Sequence, residues 1–185
     1  MFCTWGNIEG HAADSGYAYS QETYNATPGA AITTDLTDEQ DIVHVYLGGS
    51  CRLPTYEELE ELVENTSSIW TTYNGVYGRL FTSNINGQVL FLPAVGYFPG
   101  ANRASYGVLG FYWTRSYSNA SVAHDLNIKA DSVNPQSTYY RYYGFAIRPV
   151  LDENPNRSVI PPTPEDKPKE EDTPTEEEPK DNNER

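Results

Sequence analysis

The residues best placed to do chemistry are tyrosines. From Ser137 to Tyr143 the chain reads Ser-Thr-Tyr-Tyr-Arg-Tyr-Tyr, with Tyr139, Tyr140, Tyr142 and Tyr143 close together. Tyrosine joins a large rigid ring to a polar tip and loses little rotamer freedom when held, so a dense run of it suits a contact surface. One small core could not use so many half-buried rings. The chemistry implied is recognition: broad ring contacts, with Ser, Thr and Asn adding adaptable hydrogen bonds. The face that this reading picks out comprises Tyr117, Asn119, Ser121, His124, Ser137, Thr138, Tyr139, Tyr140, Tyr142 and Tyr143.

Bond-making groups are sparse by comparison. His11 lies in a polar loop and His44 among the apolar positions of a helix, so both read as polar or structural side chains. Glu57, Glu58, Glu60, Glu61 and Glu64 crowd one short stretch and read as a solvated helix face, not as catalytic carboxylates. Cys3 and Cys51 belong to no Cys-x-x-Cys or Cys/His cluster, so no zinc site is expected. A Cys3–Cys51 disulfide and two buried thiols both fit. The sequence predicts no enzyme activity and no cofactor.

The elements that hold the tyrosines come next. The chain has 185 residues and a formal net charge of −14. Residues 151–185 hold twelve of its acids and five of its bases, and no aromatic residue. They are expected to form a disordered Pro/Glu-rich tail or linker, leaving 1–150 as the ligand-binding domain. The acidic balance argues against nucleic acid, since phosphate neutralisation needs clustered Lys and Arg. No apolar run is long enough to span a membrane, so no membrane insertion is expected. No basic leader precedes an apolar stretch, so no signal peptide is visible.

Met1–Trp5 reads as a first strand, and 6–32 as a long loop with a short extended piece at Tyr17–Tyr19. Thr37 with Gln40 forms a capping box and predicts a helix to Gly48. Thr55 with Glu58 forms another and predicts a second helix, with Leu59, Leu62 and Val63 buried. Asn74-Gly75 and Asn86-Gly87 tolerate the positive φ of tight turns and predict antiparallel hairpins among Trp70–Tyr73, Val76–Thr82 and Val89–Val95. Phe111–Ser116, Ala123–Ile128 and Gly144–Val150 read as the last strands. Two early helices followed by short antiparallel strands make an α+β domain.

Several motifs carry a resemblance. Gly48-Gly49-Ser50-Cys51-Arg52-Leu53-Pro54-Thr55 precedes a Glu/Leu helix. Asn74–Gly78, Phe91–Tyr97, Gly110–Thr114 and Gly144–Val150 follow in order. Over residues 2–150 this resembles the C-type-lectin-like domains of gut bacteria and their phages. Those are related to the Fibrobacter succinogenes major paralogous domain and, more remotely, to the formylglycine-generating-enzyme fold. Cys51 stands where that pattern has Trp, a change in packing. The resemblance implies a C-type-lectin-like fold.

A second resemblance concerns Val133-Asn134-Pro135-Gln136, the stretch after it, and Gly144–Val150. It is similar to the variable region of proteins diversified by diversity-generating retroelements. There an error-prone reverse transcriptase substitutes at template adenines, and AAC codons become Tyr, Ser, Thr, His, Asp or Ile. Ser137, Thr138, Tyr139, Tyr140, Tyr142 and Tyr143 are each reachable from AAC by a single change. His124 and Asp125 fit as well, and Asn119 and Asn127 fit as unchanged codons, which adds Asp125 and Asn127 to the face. The resemblance implies that Tyr117–Asp125 and Ser137–Tyr143 are exchangeable, and the apolar residues Trp113, Leu126, Phe145, Ile147 and Val150 can hold the strands while those positions change. It also implies a protein or glycan target on another cell surface and an extracellular, cell-surface or virion setting within a larger fibre or surface protein.

Three alternatives compete with this reading. A formylglycine-generating-type enzyme would use paired reactive cysteines in its C-terminal part, and no cysteine follows Cys51. A calcium-dependent lectin needs converging oxygen ligands, and Asn134-Pro135-Gln136 matches its loop only faintly. A purely structural surface module needs no diversification.

Overall fold

A computed structural model describes residues 1–152. In chain order the elements are β1 (Phe2–Cys3), α1 (Gln21–Asn25), α2 (Ile42–Leu47), β2 (Cys51–Arg52), α3 (Tyr56–Glu64), β3 (Thr66–Tyr73), β4 (Val76–Ser83), β5 (Val89–Pro93), β6 (Gly110–Tyr117), β7 (Val122–Ile128), β8 (Val133–Tyr140), β9 (Phe145–Ala146) and β10 (Val150–Leu151). The architecture is α+β with strands dominant.

The central sheet runs β1-β9-β6-β7-β8. Its middle strand, β6, is buried continuously from Gly110 to Thr114, the pattern of a strand covered on both faces. Phe111 and Trp113 point to one cluster with Cys3, Trp5, Ile42, Val43 and Phe145. Tyr112 points to the other with Phe81, Leu92, Leu126 and Ile128. The indoles fasten the first strand to the sheet: Trp113 Nε1 donates to the Cys3 carbonyl at 2.9 Å, and Trp5 Nε1 to the Thr114 carbonyl at 2.8 Å. Satisfying the polar tip is what lets a tryptophan be wholly buried.

β3, β4 and β5 form a separate antiparallel meander. Asn74 and Gly75, at φ 49° and 77°, make the two-residue turn expected between β3 and β4. α3 also begins where the sequence predicts. Thr55 N donates to Glu58 Oε2 at 2.9 Å, and Glu58 N to Thr55 Oγ1 at 3.2 Å.

Other elements differ from expectation. The helix predicted from Thr37 divides. Its capping box forms a 3₁₀ turn over Asp38–Gln40, and α2 starts afresh at Ile42 with Asp41 as its N-cap. The Asp41 carboxylate is the stronger acceptor and restarts the helix. The 6–32 segment contains α1, whose Ser20–Thr23 cap serves only five residues, and Tyr17–Tyr19 is not a strand. Gly144–Val150 supplies two short strands, Phe145–Ala146 and Val150–Leu151, instead of one.

The domain boundary also moves. Leu151 pairs with Cys51, and Arg52 Nε lies 3.1 Å from an Asp152 carboxylate oxygen, so the fold extends past 150. The predicted tail beyond Asp152 lies outside the described residues. Both cysteines are free thiols; Cys3 is buried and Cys51 only half-buried. Among the described residues no helix is long and apolar enough to cross a membrane.

Candidate ligand-binding face

The site is built on the β6-β7-β8 half of the central sheet, where β8 is the edge strand. The sequence reading assigns no strand between Ile128 and Gly144; in the structure, Val133–Tyr140 pairs with β7. The register sets Val122 opposite Tyr140, Ala123 opposite Tyr139, His124 opposite Thr138 and Asp125 opposite Ser137. Residues directly opposite share a face, and successive residues alternate faces. The expected single face is therefore divided. Asp125, Ser137 and Tyr139 lie on the side of Trp113 and Ala123, and His124, Thr138 and Tyr140 start on the other.

That other side meets α3. The His124 ring stacks on Tyr56 with centroids 4.7 Å apart, and the Gln136 amide donates to Glu60. His124 is thus part of a helix–sheet contact.

The tyrosines at the end of β8 gather into one patch despite the alternation. Tyr139 lies 5.3 Å from Phe111 and 5.3 Å from Tyr143, ring to ring. Tyr140 stacks on Tyr142 at 5.4 Å and stands 48 % exposed. Tyr139 and Tyr143 rest against the buried cluster of Phe111 and Phe145. Burial raises the Tyr139 phenol above its ordinary value and pushes Tyr143 up to about 12. The patch has a base, Tyr139 and Tyr143, and an outer layer, Tyr140 and Tyr142.

Sequence reasoning missed one member. Tyr97 lies 5.8 Å from Tyr143, 6.2 Å from Tyr139 and 5.0 Å from Phe111. Gly96 places it: its φ is 71°, and a Cβ there would run into the Ala104 carbonyl. Gly96 was legible as part of a motif, but nothing in its spacing tied it to β8.

Several expected contact residues have structural duties. Asn119 Oδ1 accepts from Ser121 N at 2.9 Å and Val122 N at 3.1 Å, which closes the β6–β7 turn and leaves Ser121 exposed on it. Tyr117 sits 6.1 Å from the Trp5 ring, and its N–H donates to Asp35. Asn127 is half-buried opposite Asn134.

Arg141, inside the run expected to be exchangeable, is 1 % exposed. Its guanidinium lies 4.5 Å from the Trp5 ring centroid and donates to the carbonyls of Gly29, Asn119 and Ala120. It is a scaffold residue that ties the end of β8 to the N-terminal segment.

Asp125 is the exception within the site. It is 0 % exposed, and neither carboxylate oxygen has a hydrogen-bond partner. The Ser137 hydroxyl is near enough to favour the anion slightly but lies outside hydrogen-bonding geometry. Burial dominates and pushes the carboxyl up to about 8.

Reactive groups are not assembled around the patch. Burial pushes the Cys3 thiol up to about 12, where it stays protonated and a poor nucleophile. Among the described residues no cluster of three or more His, Cys, Asp and Glu side chains could hold a metal ion. Neither a family model, nor a curated protein, nor a solved structure matches this chain.

Proposed function

We propose that the chain is a non-enzymatic ligand-binding domain of C-type-lectin-like fold. Its tyrosine-rich end, varied by a diversity-generating retroelement, binds protein or glycan targets on another cell surface. The domain is displayed extracellularly, on a cell or a virion.

The observation that carries this reading is the layering of rings at the end of β8. Tyr140 and Tyr142 make their ring contacts with other tyrosines of the patch, whereas Tyr139 and Tyr143 stand on Phe145. An outer layer of this kind can be exchanged while the layer beneath keeps its packing, as diversification requires. Tyrosine in that layer gives contact area at low entropic cost.

The test is a random-peptide display selection against the full chain, repeated with Tyr140→Ser/Tyr142→Ser. Enriched peptides should bind the double variant at least about tenfold more weakly, with an unchanged melting transition. Peptides that bind both proteins equally would overturn the binding reading. Diversification has its own test in the gene. A nearby near-copy of the segment coding for 112–150, differing only at adenines and accompanied by a reverse transcriptase gene, is expected. Its absence would leave a generic lectin-like module.

A further inference from the structure

We infer that the face takes up a cationic group, a primary ammonium or guanidinium such as a lysine or arginine side chain of a protein target, between the Asp125 carboxylate and the rings beside it. This rests on the reading of the face as a ligand-binding surface and adds the chemical class of what it binds.

Asp125 is a fully buried carboxylate with no hydrogen bond to either oxygen, and the nearby Ser137 hydroxyl favours the anion without reaching bonding geometry. Buried polar groups in folded proteins are nearly always partnered, so such an exception points to a partner supplied from outside. Three arginines are held by other groups. Arg141 is held by carbonyls and the Trp5 ring, Arg115 by the Leu36 carbonyl and Asp38, and Arg79 by the Lys129 carbonyl. None forms an ion pair with Asp125.

The surroundings suit an organic cation. Tyr139 lies diagonally across the β7–β8 pair on the same face, and its phenol feels the Asp125 charge. Tyr97 and Phe111 flank Tyr139 at 6.2 and 5.3 Å. Ring faces attract a desolvated cation, and the carboxylate supplies the counter-charge. A single carboxylate among rings does not suit calcium, which takes six to eight oxygens.

The strand geometry permits entry. β8 is the edge of the sheet, and its pairing with β7 is irregular between Asp125 and Asn127, immediately beside the carboxylate. Ser137 and Tyr139 can therefore shift without unzipping a second strand.

Binding should be linked to a proton. With its carboxyl pushed up to about 8, Asp125 is largely neutral near pH 7, and the cation replaces the proton. The titratable group facing it is the phenol of Tyr139 on β8, whose ring lies 6.2 Å from that of Tyr97. β6 presents Phe111 and Trp113, which carry no charge. Affinity for a cation should thus rise as pH passes from about 6 to about 9.

The test uses n-butylammonium chloride, with n-pentanol as the neutral isostere, titrated into the full chain and followed by NMR of the Asp125 carboxyl carbon and the Tyr139 ring. Saturable shifts at about pH 9 are expected, at least about tenfold weaker at pH 6, with n-pentanol, and in Asp125→Asn. Saturating n-butylammonium should also lower the titration midpoint of the wild-type Asp125 carboxyl, a readout independent of any variant. Equal binding of n-pentanol, unchanged binding by Asp125→Asn, or no saturable shift would each overturn the inference. The peptide selection separates this failure from that of the underlying reading. Peptides that depend on Tyr140 and Tyr142 but carry no Lys or Arg would keep the face and overturn the cation site.

Discussion

Asp41 and Asp125 are both removed from water completely, and they differ in what their oxygens meet. Asp41 accepts from Val43 N at 2.9 Å and His44 N at 3.4 Å through one oxygen, and from Leu53 N at 2.8 Å through the other. Neither Asp125 oxygen has a hydrogen-bond partner, and only burial and the nearby Ser137 hydroxyl act on its charge. The cause is where each lies. Asp41 precedes a helix, whose first N–H groups have no partner of their own. Asp125 lies on β7, between β6 and β8, where backbone donors serve the ladders on either side. A buried carboxylate at a helix start is rehydrated by the backbone; one in an inner strand must give up its charge or meet a partner from outside. The first ties α2 to the segment before α3. The second is left for function.

The strongest way to break this comparison is pH. Asp125 has a carboxyl at about 8 when folded, against an ordinary value of 3.8. Below about pH 4 it is protonated in both states, and its contribution is fully present. As the pH rises toward 8 the unfolded chain loses the proton first, so this contribution to stability is lost. Asn cannot ionise. The stability of Asp125→Asn relative to the parent should therefore grow between pH 4 and pH 8, by as much as about 5 kcal/mol. Urea unfolding across that range measures it, and a constant difference would mean that Asp125 is not held neutral. Asp41→Ala tests the other side. It orphans three backbone donors, two of them fully buried, and should destabilise by about 3 kcal/mol. A loss below about 1 kcal/mol would reduce Asp41 to an ordinary surface cap.

What could be read in the sequence follows the same division between local and non-local causes. Thr55 with Glu58, and Asn74 with Gly75, act within a few residues, and both features form as expected. Trp113 and Phe145 were legible as core because ring size and apolar neighbours suffice, and both are wholly buried. β8 was hidden by its composition. Pro135 within it is tolerated because β8 is an edge strand with an irregular register at that point. Without β8 as a strand, the alternation that buries Asp125 and separates Tyr139 from Tyr140 is not legible. Arg141 was unreadable for a related reason. Its ligands, Gly29 and the 119–120 turn, are remote in sequence, and carbonyls and rings leave no charge pattern.

The remaining predictions sharpen the comparison inside the tyrosine patch. Tyr139→Ser removes a ring packed on Phe111 and Phe145 and should lower stability by about 2–3 kcal/mol. The smallest effect is expected from Tyr140→Ser/Tyr142→Ser. Tyr140 is already 48 % exposed, its ring contacts lie within the patch, and those contacts can be replaced by water. Denaturant unfolding should place this double variant within about 1 kcal/mol of the parent, as for surface changes that leave no cavity. If the double variant instead matched Tyr139→Ser, the outer rings would be holding β8 against the sheet. The patch would then be a single packed unit, with no layer free to change.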